Sequence, residues 1–195
     1  MIRPYSMHPA YEHMAAIERK MQENTGMSVF EWVELTRSRG PQGKREQKDW
    51  LVGQGLGSVQ ASVVVDRLLG EMGPESYDPD LLVREQYPEK KAHLLPIFDA
   101  LLAMGFGLGE DVRVCPCSTM VPFYRNHVFA QIKPTTLTRI DFGLALGDTA
   151  SVGPLIDTGG FAKKDRITHR IPIASVEEIN DEVRVWLQRA YDRDA

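Results

Sequence analysis

Six polar side chains of the second half of the chain sit in or beside segments of alternating apolar character: Tyr124, Arg125, Lys133, Arg139, His169 and Arg170. On the open face of a sheet, guanidinium forks, an imidazole and a phenol suit an anionic or planar ligand. Tyr124, Arg125, Arg139 and His169 are therefore the expected ligand-binding set, and the same four would serve an enzyme with an unrecognised site. The competing reading is a solvated sheet face, where Arg and Lys are ordinary. Arg139 and Asp141, two residues apart, read as a surface ion pair rather than an acid–base couple.

A second candidate is "LVGQGLGSVQASVVVD". A helix, a Gly-Leu-Gly turn and a second helix can present backbone amides to a phosphate of nucleic acid. Gly55 and Gly57 would supply the turn, and Lys44 and Arg45 of the upstream basic stretch "RSRGPQGKREQK" the cations. The stronger explanation is structural: glycines permit a left-handed turn and Ala61 lets two helices approach. Ser58 stands where such a binder carries Lys or Arg.

"VCPCS" places Cys115 and Cys117 on one face if the segment is a strand, but a closed zinc site needs four ligands. Buried Cys is more often a small core residue, so no metal is expected. "GGFAKKD" lacks the G-x-x-x-x-G-K-[ST] spacing of a phosphate loop. No catalytic triad signature, H-E-x-x-H or dinucleotide fingerprint occurs, and no catalytic residue or cofactor is assigned.

The elements that must position these residues divide the chain. Residues 1–72 read as four helices. Met14, Ile17 and Met21 mark the first, ended by Gly26; a Ser28-x-x-Glu31 capping box starts the second, with stripe Phe30, Trp32, Val33 and Leu35. The third runs from Lys44 to Val52, and the fourth follows Gly57 with Val59, Val63, Leu68 and Leu69 as core candidates. "GEMGPESYDPD" marks a linker, taken as residues 73–88.

Residues 89–195 read as a helix from Glu89 to Met104, then "DVRVCPCSTMVPFYR", "HVFAQIKPT", "TRIDFGLALG" and "ITHRIPIA" as strands. Asn126-His127 and Pro134-Thr135-Thr136 are the hairpin turns. A helix opened by a Ser175-x-x-Glu178 box follows, with stripe Val176, Ile179, Val183, Trp186, Leu187 and Ala190. The fold class is α+β: a four-helix domain, then an antiparallel sheet of three to five strands with helices on one face.

Composition excludes several classes. The 195 residues are 43% hydrophobic and 26% charged with net charge −4, an ordinary globular balance. Residues 1–74 are neutral and the remainder carries the −4, so neither half is a basic nucleic-acid domain. No apolar run approaches the roughly 18 residues of a membrane span, and "MIRPYSMHPAYEHM" lacks a signal-peptide core. Two cysteines give no disulfide framework, which makes a reducing cytoplasm the default expectation.

"TGMSVFEWVELTRSRG" with "WLVGQGLGSVQASVVV" resembles an N-terminal helical domain of unknown function common in bacterial proteins. Thr25, Gly26, Ser28, Trp32, Gly55, Leu56, Gly57 and Ala61 carry that likeness. "MVPFYRNHVFAQIKPTTLTRIDFGLAL" with "THRIPI" resembles a second uncharacterised domain, of the type labelled a predicted transport protein. The resemblances imply a bacterial two-domain protein and no particular chemistry. Asn126 and His127 depart from the second pattern, which is richer in Lys and Arg at that hairpin. The resulting expectation is a cytoplasmic binding protein without catalysis, whose partner is a small molecule or a protein. Nucleic acid is the weaker alternative and no membrane is involved.

Overall fold

In the computed structural model, which describes residues 5–70 and 76–195, the chain divides into a helical unit within residues 7–78 and a second unit of Pro79–Ala195 joined by Tyr5 and Ser6. The first contains α1 (Pro9–Thr25), α2 (Val29–Arg39), α3 (Lys44–Gly53) and α4 (Ser58–Leu69). Gly26 turns to φ 77° and its amide closes on the Gln22 carbonyl, an exit that glycine makes without a Cβ penalty. Ser28 Oγ accepts from the Glu31 amide while the Glu31 carboxylate accepts from the Ser28 amide at 2.7 Å. Across this corner the Trp32 indole donates to the Thr25 hydroxyl at 2.9 Å, and that hydroxyl donates to the Met21 carbonyl.

Met14, Met21, Trp32, Val33, Leu51, Leu56, Ala61 and Val64 form the core of this unit. Three expected core residues lie outside it: Phe30 is 70% exposed, Val59 58% and Leu69 44%. At 3.6 residues per turn, Phe30 falls roughly 110° from the centre of the buried stripe of Trp32, Val33 and Thr36, past its edge.

The second unit opens with α5 (Pro79–Gln86), inside the segment expected as a linker. Pro79 is its first residue, a position where a missing N–H costs nothing, and Val83 buries into the core. Residues 73–75 of the expected linker lie outside the described residues. The expected helix from Glu89 is split into a 3₁₀ turn, Glu89–Leu94, and α6 (Leu95–Phe106). Pro96 explains the break, because its ring clashes with the carbonyl four residues back in an uninterrupted α-helix.

Six antiparallel strands follow in the order β1-β2-β3-β4-β6-β5: β1 (Arg113–Val114), β2 (Val121–Tyr124), β3 (Val128–Lys133), β4 (Ile140–Leu144), β5 (Ile156–Asp157) and β6 (His169–Ile173). The α+β class is as the sequence indicates, with one strand more than the expected range. The additions are two-residue edge strands, too short for a periodic signal. "DVRVCPCSTMVPFYR" is not one strand but β1, a turn, and β2 pairing back on β1. A four-residue helix, α7 (Gly160–Lys163), stands between β5 and β6.

Cross-strand register aligns Val121, Phe123, Ala130, Ile132, Phe142, Ile140, Ile171 and Ile173 on one face, and all are buried in one core with α6 and α8 (Asp181–Asp192). Gly105 marks the closest approach of α6: a Cβ there would lie 2.1 Å from Phe123 Cε1. The last helix begins later than expected. Asn180 Oδ1 accepts from the amides of Glu182 and Val183, while Val176–Glu178 is a 3₁₀ turn and the Glu178 carboxylate accepts from the Ala174 amide. Among the described residues no helix is long and apolar enough to cross a membrane.

Candidate functional site

The register separates the four expected ligand residues. Tyr124 pairs with Val128 at the start of β3, whereas Asp141, two residues after Arg139, pairs with Lys133 at its end. Those ends are about 16 Å apart at roughly 3.3 Å per residue. Asp141 Oδ1 accepts from Arg139 Nε at 3.1 Å and from Arg170 Nη1 at 3.0 Å, so the expected Arg139–Asp141 pair is a three-residue cluster. Burial pushes the Tyr124 phenol up to about 12.

His169 lies in register with Leu144 on the covered face and is 2% exposed. Thr168 Oγ1 accepts from the Leu146 amide and lies 2.9 Å from His169 Nδ1. His169 Nε2 is buried and has no hydrogen-bond partner among the described residues.

Arg125 leaves β2 for the hairpin tip. Its Nε donates to Asp111 Oδ2 at 2.8 Å and its guanidinium lies 4.3 Å from the centre of the Tyr191 ring. The Tyr191 hydroxyl, donating at 2.7 Å, and then Arg125 hold the Asp111 carboxyl below its usual range. Thus Tyr124, Arg125, Arg139 and His169 occupy separate surroundings rather than one pocket.

At the Gly-Leu-Gly corner Gly55 adopts φ 102° and donates its amide to the Val52 carbonyl at 3.0 Å. The Gly57 amide donates to Gln60 Oε1 at 2.9 Å, so both amides already have acceptors within the fold. Lys44 Nζ is 3.3 Å from Asp66 Oδ1 and Arg45 Nε 4.0 Å from Asp49 Oδ2. Cys115 is buried and Cys117 half-buried at the β1–β2 turn, where burial pushes the Cys117 thiol up and favours the unreactive thiol. Among the described residues no three His, Cys, Asp or Glu side chains gather as a metal ion would require.

A different part of the sheet unit assembles cations around open space. An open cleft of about 610 Å³ lies where the chain leaves β4 at Ala145 and Gly147 and enters β6 at Thr168; its lining includes Lys164, Arg166, Arg193, Asp165 and Phe161. The size falls within the roughly 300–1,000 Å³ of small-molecule sites. Arg166 is fixed in place: Nε donates to the Val128 carbonyl at 2.8 Å and Nη2 to Asp194 Oδ1. Arg193 lies over Gly147, where a Cβ would come 2.4 Å from Nη2. Lys164 is the one non-glycine residue at positive φ (61°) among the described residues. A left-handed backbone costs a side-chain-bearing residue about 1–2 kcal/mol, and such outliers collect at functional sites.

Asp194 anchors the neighbourhood. Its side chain is 2% exposed and accepts from the His127 amide at 2.7 Å as well as from Arg166, while His127 Nδ1 lies 3.1 Å from its Oδ1. The imidazole is thereby oriented as a general base would need, but among the described residues no hydroxyl or thiol is bonded to its other nitrogen. What the arrangement offers is electrostatic: three cations to one acid in the lining, with Arg166 held by the Val128 carbonyl and Asp194, and Arg193 Nη2 3.8 Å from Asp148 Oδ1.

Sequence reasoning missed this cleft. "GGFAKKD" has no phosphate-loop spacing, and α7, four residues long, makes no such loop. The contribution of the segment is Phe161 and Lys164 as side chains, completed by Arg193 from the distant end of α8. No sequence signal marks the cleft, because the C-cap position of Lys164 is visible only once the four-residue α7 is seen.

A domain of unknown function (DUF5655) matches residues 83–194, more than half of the chain, and the chain belongs to that family. No curated protein and no solved structure matches the chain.

Proposed function

From a family without an assigned reaction, we propose that this protein is a ligand-binding protein whose sheet unit holds an oxyanion in the cleft between Lys164, Arg166 and Arg193. The carrying observation is Lys164 itself: a lysine kept in a left-handed backbone conformation at the wall of a cation-lined cleft. Glycine would relieve that position, so the ammonium has a use that outweighs the strain. Arg166 supports the same reading, because its two hydrogen bonds to the fold leave Nη1 available to a ligand. Preorganised donors of this kind bind carboxylate or phosphate with little ordering cost. Both cysteines are free thiols, which suits a reducing compartment such as the cytoplasm.

Thermal unfolding in inorganic phosphate against chloride at matched ionic strength tests the proposal. Phosphate at a hundred times its Kd is expected to stabilise the protein by about 2.7 kcal/mol, and Lys164→Glu to abolish the difference between the two salts. Equal melting temperatures in both salts would overturn it.

A further inference from the structure

The cleft holds one feature that an inorganic anion does not use. Phe161 is 57% exposed on its wall, although a large apolar ring gains by leaving water. Its backbone is held in place: the Lys164 amide donates to the Phe161 carbonyl and the Asp165 amide to the Gly160 carbonyl. The ring is therefore offered at a fixed site beside the cations rather than on a free tail. Arg166 Nη1 and the Lys164 ammonium have no partner among the described residues, and Gly147 positions Arg193 by leaving room for its guanidinium.

An aromatic face next to a cluster of cations matches a ligand with a planar ring at one end and a phosphate at the other. We infer that the cleft takes a mononucleotide, its base stacked on Phe161 and its phosphate held by Lys164, Arg166 and Arg193. This rests on the anion-binding reading above and adds the chemical class of the ligand. The cleft's volume of about 610 Å³ suits one such molecule.

Calorimetric titration of the full chain with adenosine 5′-monophosphate, ribose 5-phosphate and inorganic phosphate separates the two ideas. The nucleotide is expected to bind at least tenfold tighter than ribose 5-phosphate. Phe161→Ala, at an exposed position whose loss leaves the core intact, is expected to erase that advantage and leave phosphate binding unchanged. Equal affinity for nucleotide and ribose 5-phosphate, or an advantage that survives Phe161→Ala, would overturn the inference while anion binding stands. No binding of any of the three would overturn both. A single-stranded oligonucleotide binding more than tenfold tighter than the mononucleotide would reassign the cleft to a polymer and overturn it too.

Discussion

The helical unit and the sheet unit use their polar groups in opposite ways. In the first, the conspicuous residues complete the fold: Thr25 receives the Trp32 indole, Ser28 and Glu31 cap α2, and Gln60 takes the Gly57 amide. Lys44 and Arg45 face Asp66 and Asp49. In the second, Lys164 and one edge of Arg166 stay open at a cleft, and backbone strain is kept at Lys164. A residue that stands out in the sequence can be explained entirely by a corner, and a residue that does not stand out can be held against its own preference. The second situation is the better pointer to a ligand.

The largest expected effect sharpens the structural side of this contrast. Gly105→Ala would place a Cβ where Phe123 already lies, and overpacking of this kind costs about 1–3 kcal/mol. Denaturant unfolding should show that loss, with reduced amide protection across β2 and α6. A variant as stable as the parent would mean that α6 and the sheet do not meet as described. Next comes the α1–α2 corner. Thr25→Val leaves the indole N–H of Trp32, a residue 6% exposed, without its acceptor, a loss of about 1–2 kcal/mol. Thr25→Ser should restore most of it. If Val and Ser behave alike, the hydroxyl is not what the motif is for, and the helical unit has polar groups unaccounted for.

What the sequence made legible follows from range. The Ser28 capping box, the Gly26 exit and the alternation in β3 and β4 are local, set within a few residues, and the chain displays them openly. The position of α8 was displaced because Ser175-x-x-Glu178 and Asn180 compete as caps within six residues, and only packing decides for Asn180. The strand pair β1–β2 was hidden because a proline-containing turn interrupts an apparently continuous alternation. His169 shares one alternating strand with Ile171 and Ile173, and strict period 2 puts it with them on the covered face. That inference was available from spacing alone. The cleft was not, since Lys164 and Arg193 come together only through the tertiary fold.

Lys164→Gly tests the central claim most directly, because the account ties two opposite effects to one residue. Relief of about 1–2 kcal/mol of left-handed strain, less about 0.5–1 kcal/mol for the freer unfolded chain, predicts a variant more stable by roughly 0.5–1 kcal/mol. Phosphate affinity, measured on the same preparation, is predicted to fall by about tenfold. A variant that is more stable and binds phosphate as well as the parent would contradict the account, since the lysine would then be strained without serving the cleft.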